Sequence, residues 1–173
     1  MLYQNPIIKG FHPDPSICFD GKSFYLVTST FEFFPGVPIY KSENLINWEL
    51  VGHCLTDETQ CDLKTAQNSH GIYAPTIRFH NGRYYMVTTN VSSGGHLIVS
   101  TENPCEKWSP PVYVDQGGID PSLLFDEDKV YFVSNIIKDG RQGIMMCEIN
   151  PLTGEKYTES KIISYGSGGI HPE

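Results

Sequence analysis

Short apolar runs separated by polar turns recur along this chain, and one such pattern occurs three times. Residues 14–29 read DPSICFDGKSFYLVTS, residues 74–89 read APTIRFHNGRYYMVTT, and residues 120–135 read DPSLLFDEDKVYFVSN. In each copy a short apolar run with a Pro and a small hydroxyl residue leads into a polar turn, and an aromatic run follows it. Such paired runs predict a β-hairpin in every copy.

Two further segments follow the hairpin in each copy and extend the repeat to four strands. These segments are residues 37–42 and 48–53 in the first copy, 96–101 and 108–114 in the second, and 143–149 and 161–164 in the third. The copies begin 60 and 46 residues apart, which falls in or near the spacing of four-stranded propeller blades. The sequence therefore predicts an all-β propeller with blades at about residues 14–53, 74–114 and 120–164.

Three blades are few for a closed ring, because natural propellers usually have four to eight. The sequence also ends on a Gly-rich stretch, residues 168–173, that is similar to the approaches to the second and third copies. We therefore expect an N-terminal part of a larger propeller, with the next blade starting near residue 173. A third blade without a neighbour would expose apolar surface, so we expect the chain to need the missing C-terminal blades as a partner or to self-associate.

The charge balance excludes several classes of partner. Twelve Lys and Arg residues stand against 20 Asp and Glu residues, which gives a formal net charge of -8. A nucleic-acid-binding protein needs a basic footprint that this composition does not supply. No apolar run approaches membrane-spanning length, and the N-terminus lacks the basic and apolar regions of a secretory signal. We therefore expect a cytoplasmic protein with neither a nucleic-acid nor a membrane partner.

Acidic residues open two of the three copies. Asp14 and Asp120 stand at the same position, directly before a Pro and a Ser, whereas the second copy has Ala74 there. An Asp-Pro-Ser sequence is also typical of a turn in which the Asp side chain binds a backbone N–H. The survival of the pattern around Ala74 indicates that the repeat does not need the acid. Carboxylates that converge on the propeller axis, with Glu173 as a third, would suit acid-base hydrolysis of a neutral substrate.

Four longer phrases carry a resemblance to a known family. The phrases NPIIKGFHPDPSIC, STFEFFPGVPIYKSENLINW, GIYAPTIRFHNGRYYMVTT and GGIDPSLLFDEDKVYFV resemble glycoside hydrolase family 43, the five-bladed propeller enzymes that include β-xylosidases and α-L-arabinofuranosidases. The resemblance covers essentially the whole chain, which would supply about three of the five blades. It implies cleavage of terminal xylosyl or arabinofuranosyl residues from xylan-derived oligosaccharides with inversion. It assigns Asp14 as general base, Asp120 as the acid that orients and tunes the general acid, and Glu173 as that general acid.

Aromatic residues offer candidate surfaces for a sugar ring. Residues 31–36, FEFFPG, lie on a Pro-Gly loop and break strand alternation, although an aromatic cluster is also typical of a core. The resemblance favours Phe31 as a pocket wall and places Tyr73 where relatives often have Trp, so both are candidate substrate-binding residues. The long polar stretch at residues 54–71 could bring Gln67, Asn68 or His70 to the substrate, but a solvated loop is the simpler explanation for each.

The rest of the sequence indicates no cofactor or metal site, and it leaves two alternative functions open. The sequence shows no phosphate-binding Gly-rich loop and no metal-ligand spacing, so we expect no cofactor and no metal site. Family members can hold a channel cation such as calcium, which these residues do not indicate. Five cysteines without a CxxC motif predict free thiols. A non-catalytic carbohydrate-binding propeller and an inactive fragment of the enzyme stay open as alternatives, whereas retaining fructosidases are disfavoured because their Asn-Asp-Pro and Arg-Asp-Pro motifs are absent.

Overall fold

The computed structural model describes residues 3–166, and every regular element in that range is a β-strand. The strands form three antiparallel four-stranded sheets, in which strands that follow each other in the chain are paired. Blade 1 contains β1 to β4, at Ser16–Phe19, Phe24–Val27, Gly36–Ser42 and Glu49–Leu55. Blade 2 contains β5 to β8, at Thr76–His80, Arg83–Asn90, Gly95–Thr101 and Val112–Val114. Blade 3 contains β9 to β12, at Ile119–Asp126, Lys129–Lys138, Arg141–Glu148 and Lys161–Ser164. The predicted all-β fold of four-stranded blades is therefore confirmed.

The last strand of blade 2 is shorter than the sequence predicts. The prediction began this strand at residue 108, but Trp108 is buried in the core and the strand starts at Val112. Ser109 still pairs with the neighbouring strand, since its N–H donates to the Ser100 carbonyl at 2.9 Å. Residues 110 and 111 are both Pro, which has no N–H to donate, so the regular ladder resumes only after them.

The small hydroxyl residue of the repeat bonds a neighbouring blade in every copy. Ser16 Oγ accepts a hydrogen bond from the Ile77 N–H at 3.1 Å, which joins blade 1 to blade 2. In the second copy, Thr76 Oγ1 donates to the Pro121 carbonyl at 2.8 Å, which joins blade 2 to blade 3. In the third copy, Ser122 Oγ accepts from the Arg78 guanidinium at 3.0 Å. A hydroxyl can donate or accept, which explains why all three copies keep one at this position.

Two apolar cores hold the blades together, one on each side of blade 2. Alternate residues of β6 enter different cores, as the two-residue period of a strand requires. The first core contains residues of blades 1 and 2, among them Tyr25, Val27, Ile39, Ile77, Tyr84, Met86 and Val99. The second core contains residues of blades 2 and 3, among them Tyr85, Val87, Ile98, Leu123, Phe132 and Cys147. Blade 2 is therefore covered on both faces.

Blades 1 and 3 each have one face without a neighbouring blade in the described part of the chain. On blade 1 this face carries Ile17 and Phe19, which are 44% and 49% exposed and pair across the ladder with Leu26 and Phe24. On blade 3 it carries Leu124, which is 59% exposed and pairs with the half-buried Tyr131. Cross-strand partners lie on the same face of a sheet, so each of these surfaces is continuous. We call them the outer faces of blades 1 and 3.

Candidate active site

Asp14 and Asp120 occupy matching places at the start of the first strands of blades 1 and 3. Asp14 lies two residues before β1, and Asp120 is the second residue of β9. Both residues are exposed, and both adopt a left-handed backbone, with φ of 54° and 53°. Ala74, at the same position of the second copy, is not among the residues with positive φ. Left-handed backbone favours Gly, Asn and Asp, so conformation restricts Asp14 and Asp120 to few residue types.

This difference in backbone qualifies the comparison between the three copies. Ala is tolerated in the second copy because the chain there does not adopt the left-handed conformation. Ala74 alone therefore does not separate a conformational reason for the two aspartates from a catalytic one. Asn would satisfy the same backbone, however, so the conformation does not explain why both positions carry a charged carboxylate rather than an amide.

Hydrogen bonds between first strands place the two aspartates at the same end of the blades. The bonds from Ile77 to Ser16 and from Thr76 to Pro121 each join residues within one position of each other in the repeat. The strands β1, β5 and β9 therefore lie side by side in nearly matching register. Asp14 and Asp120 consequently lie at one end of these strands, on either side of blade 2.

Asp14 is held by its own blade. The Ser29 hydroxyl donates a hydrogen bond to Asp14 Oδ2, and the Ser29 N–H donates to the Pro13 carbonyl at 3.1 Å. The other copies have Thr89 and Asn135 at the position of Ser29, so each blade carries a polar side chain there. Glu173 lies outside the described residues, so its assignment stays a prediction, as do the roles assigned to both aspartates.

The two predicted substrate-binding residues contact each other. The ring centroids of Phe31 and Tyr73 are 5.8 Å apart with an interplanar angle of 75°, and both side chains are half-buried. Phe11 adds a third ring, 6.1 Å from that of Phe31 and 73% exposed. Sequence reasoning missed Phe11, although an apolar ring in the Pro- and Gly-rich segment just before Asp14 was a usable signal. We call Phe11, Phe31 and Tyr73 the aromatic wall.

Backbone pairing between blades holds the aromatic wall at the end of blade 1 that carries Asp14. Phe31 and Ile72 exchange two backbone hydrogen bonds of 2.9 Å, which brings Tyr73 beside Phe31. Gly71 permits this approach, because a Cβ at that position would lie 2.5 Å from the Phe31 carbonyl oxygen. Phe31 follows Ser29, the partner of Asp14, by two residues. The wall and Asp14 therefore lie at the same end of blade 1.

The loop between β4 and β5 folds around a buried Gln60 side chain. Its Oε1 accepts from the N–H groups of Thr56 and Asp57, and its Nε2 donates to the Ser109 carbonyl at 2.8 Å. Near the end of the loop, the Ser69 N–H donates to the Glu32 carboxylate at 2.9 Å, which ties the loop to the aromatic segment. The predicted contact residues Gln67, Asn68 and His70 are exposed, and their role in binding stays a prediction.

The described residues give no support to an active site in a surface cleft or to one with a nucleophilic cysteine. A cleft of about 390 Å³ is lined by Phe34, Glu58, Cys61, Asp62, Leu63 and Lys64, and it does not contain either aspartate. The five cysteines are free thiols, of which burial raises the pKa of Cys18 to about 12 and raises that of Cys54 well above its usual value. These two thiols are therefore protonated at neutral pH and are poor nucleophiles.

The described residues show neither a metal-binding cluster nor a helix that could span a membrane. Within residues 3–166, no three His, Cys, Asp or Glu side chains converge as a set that could hold a metal ion. In the same range, no helix has the length and apolar character that crossing a membrane requires.

Comparison with known proteins identifies relatives of the whole chain. The family model described as glycosyl hydrolases family 43 matches residues 3–173. A xylosidase/arabinosidase of Butyrivibrio fibrisolvens is 52% identical over 137 residues, covering 77% of this chain and 26% of that protein. A non-reducing end α-L-arabinofuranosidase of Bacteroides ovatus is 42% identical over 175 residues, covering 99% of this chain and 32% of that protein.

A solved structure shows the same arrangement of blades. The crystal structure of a xylan β-1,4-xylosidase from Bacillus halodurans C-125 superposes with a TM-score of 0.88 at 38% identity, covering 96% of this chain and 34% of that chain. The chain thus spans between 26% and 34% of the length of these relatives.

Proposed function

The chain belongs to glycosyl hydrolases family 43, and from this premise we propose that the protein containing it removes terminal xylosyl or arabinofuranosyl residues from xylan-derived oligosaccharides with inversion. The proposal is supported by the names of the relatives, which are xylosidases and arabinofuranosidases. The structural observation that carries it is the pair Asp14 and Asp120, exposed in the same backbone conformation at one end of blades 1 and 3.

The proposed chemistry uses three carboxyl groups in different roles. Inversion requires an ionised carboxylate that deprotonates water and a protonated carboxyl group that protonates the leaving oxygen, about 6.5 to 9.5 Å apart. Asp14 is proposed as the base, and Glu173 as the acid. Asp120 would orient the acid and keep it protonated to higher pH, because a nearby negative charge opposes its ionisation. Carboxylates from different blades leave room for the water between them.

The aromatic wall is proposed to bind the sugar being released. An aromatic face packs against the C–H side of a sugar ring, and the rings of Phe31 and Tyr73 are already held against each other. Tyr73 adds a hydroxyl that can donate or accept a hydrogen bond with a sugar hydroxyl. Replacing Tyr73 by Phe should therefore raise KM more for the pentoside that binds this hydroxyl than for the other pentoside.

The stereochemistry of the first product tests the mechanism. Xylobiose and an aryl α-L-arabinofuranoside are incubated with the full-length protein, and ¹H NMR records the anomer released before mutarotation. Inversion gives α-xylose from the β-xyloside and the β-anomer from the arabinofuranoside. Release of the retained anomer would refute the proposed mechanism, and binding without turnover would instead favour the non-catalytic carbohydrate-binding propeller.

We further propose that additional blades of the same propeller cover the outer faces of blades 1 and 3. The support is the repeat itself, because Tyr25 and Tyr85 are buried by the following blade, whereas Tyr131 at the same position is half-buried. Without that cover, residues 1–173 alone should be inactive and should self-associate through these faces. In the full-length protein, where additional blades cover these faces, we expect no self-association through them.

Gel filtration with a pentoside assay tests the cover. The Leu124→Gln variant of residues 1–173 should self-associate less than the unchanged chain, because Leu124 lies on an outer face. Leu152→Gln is the matched control, since Leu152 is similarly exposed at 54% but lies in the loop between β11 and β12. A compact 19.4 kDa monomer with full turnover would contradict the proposal.

A further inference from the structure

His96 is a buried polar residue that no proposed catalytic step uses. It lies at the second position of β7 and is 2% exposed. Its Nδ1 lies 2.9 Å from Thr89 Oγ1, its Nε2 lies 3.2 Å from the Gly117 carbonyl oxygen, and its ring packs edge-on to Phe132 at 5.1 Å. His96 therefore connects blade 2 to the segment that enters blade 3.

The repeat itself does not require a histidine at this place. In blade 3, Asn135 stands where blade 2 has Thr89, and it pairs with Ile144. In blade 1, the corresponding residue of the third strand is Val37, which is fully buried in the first core. Apolar residues thus satisfy the fold in the other two blades. The polar ring of His96 must be explained by what it contacts in blade 2.

The surroundings of His96 favour its neutral form. The Gly117 carbonyl can only accept, so Nε2 carries a proton and donates to it. In the neutral ring Nδ1 accepts from the Thr89 hydroxyl, so both nitrogens are paired. Burial lowers the pKa of His96, more than its bond to Gly117 raises it, and so favours this neutral form.

The Gly117 carbonyl belongs to a tightly held segment that leads to Asp120. The Ser134 hydroxyl also donates to this carbonyl at 2.8 Å, and Gln116 Nε2 donates to Ser134 Oγ at 2.8 Å. Gly118 packs so closely that a Cβ there would lie 2.1 Å from the Asn135 carbonyl oxygen. Asp120 follows only two residues later. Few backbone torsions therefore separate the carbonyl that His96 holds from the carboxylate of Asp120.

We propose that His96 is a positioning residue that fixes Asp120 through the Gly117 carbonyl. The inference rests on the proposed function, in which Asp120 orients the general acid and keeps it protonated. Of the two hydrogen bonds described above to the Gly117 carbonyl, loss of the His96 bond leaves only the one from Ser134, so Asp120, three residues later, is positioned less firmly. A displacement of about 1 Å at a catalytic group can lower the rate by up to about 100-fold.

Two substitutions of His96 in the full-length enzyme test this role. His96→Leu removes both hydrogen bonds but keeps an apolar side chain against Phe132, whereas His96→Gln retains an N–H donor that can reach Gly117. For xylobiose, whose leaving group needs protonation, His96→Leu should lower kcat by about 10- to 100-fold with KM within about twofold. The alkaline limb of the kcat/KM profile should move to lower pH, because an acid without Asp120 beside it loses its proton earlier.

The Gln variant and a core variant separate positioning from general damage. His96→Gln should restore most of kcat and return the alkaline limb toward its original pH. Ile98→Val, on the same strand and in the second core, removes a methyl group from the core but neither hydrogen bond of His96, so it should leave the limb unchanged. An unchanged limb and kcat in a folded His96→Leu enzyme would overturn the inference alone. A wild-type enzyme without pentosidase activity would instead overturn the proposed function.

Discussion

Blade 2 has both faces buried and no acid at the start of its first strand, whereas blades 1 and 3 each expose one face and carry an aspartate there. The Val residue at one position of the repeat shows this difference in burial. Val27 and Val87 are both 0% exposed, whereas Val133 is partly exposed because no blade lies beyond it in the described part of the chain. Blade 2 therefore serves as the scaffold between two blades that carry the proposed chemistry.

This division explains how one repeat supplies both structure and function. The hydroxyl residues Ser16 and Thr76 both join neighbouring first strands, Ser16 as an acceptor and Thr76 as a donor. The position two residues earlier differs between blades: it is Asp in blades 1 and 3, where the backbone is left-handed, and Ala in blade 2, where it is not. Because blade 2 lies between them, its width helps to set the separation of the two aspartates.

The largest effect is expected from removing the charge of the two aspartates in the full-length enzyme. Asp14→Asn and Asp120→Asn should each lower kcat/KM for unactivated pentosides by about 10²- to 10⁴-fold, the usual contribution of an acid-base group. Asn tolerates the left-handed backbone, and at Asp14 it can still accept from Ser29, so the fold should persist. Ala would confound the test, because positive φ strains it.

The two variants should differ in how they respond to the leaving group. An activated aryl pentoside needs less protonation, so Asp120→Asn should recover more of its rate on that substrate than Asp14→Asn. Ala74→Ser, at the same position of blade 2, is the control and should leave the rate within about threefold. A near-wild-type rate for either Asn variant, with thermal unfolding unchanged, would refute the role assigned to that residue.

Much of the fold was predictable from the sequence because its determinants are local. The hairpins follow from polar turns between apolar runs, and the strands appear where those runs predict them. The shortened β8 follows from Pro110 and Pro111, whose missing N–H groups are a signal that the sequence does carry. The left-handed backbone of Asp14 and Asp120, which qualifies the argument from Ala74, is a torsional property that residue identity alone does not reveal.

The parts of the site that could not be predicted depend on contacts between blades. Tyr84 bonds Asp20 from 64 positions away, and His96 reaches Gly117 across 21 positions. No local sequence motif reveals either pair, since the packing of adjacent blades determines which residues meet. Phe31 and Tyr73 were predicted from the resemblance, but their ring contact follows from the backbone pairing of Phe31 with Ile72.

A smaller effect is expected from matched core substitutions that compare blade 2 with blade 3. In residues 1–173, Val87→Ala should lower the free energy of unfolding by about 2 kcal/mol, because it removes two buried methyl groups and leaves a cavity. Val133→Ala should cost less, about 1 kcal/mol, since Val133 is only partly buried there. Urea unfolding at low protein concentration measures both values.

The same pair of substitutions shows whether a further blade covers blade 3. In the full-length protein, Val133 would be buried like Val87, so the two Ala variants should become similarly destabilised. Val27→Ala, buried by blade 2 in either protein, is the control and should cost the same in both. A Val133 value that stays small in the full-length protein would show that the outer face of blade 3 remains uncovered.

The smallest effect concerns pH and compares the two interfaces of blade 2. Toward blade 1, the Tyr84 hydroxyl donates to Asp20 Oδ2 at 2.6 Å, whereas toward blade 3 the ring of His80, at the position of Asp20, stacks on Phe125 at 4.5 Å. Burial raises the pKa of Asp20, but hydrogen bonds from the Ser23 N–H, the Tyr84 hydroxyl and the Lys22 N–H outweigh it and hold the pKa below its ordinary value.

A lowered pKa in the folded state means that Asp20 adds stability above its unfolded pKa of about 3.9 and loses that contribution as pH falls through the lower folded pKa. Tyr84→Phe should therefore cost about 1 kcal/mol at pH 7 and progressively less below pH 4, once Asp20 is protonated and binds the phenol less strongly. His80→Gln, at the other interface, is the control. It should not change how much stability the protein loses when Asp20 is protonated at low pH. Denaturant unfolding of wild type and both variants between about pH 3 and pH 7 measures the difference. A Tyr84→Phe cost that stays constant across this range would show that the Asp20 charge does not stabilise the interface between blades 1 and 2.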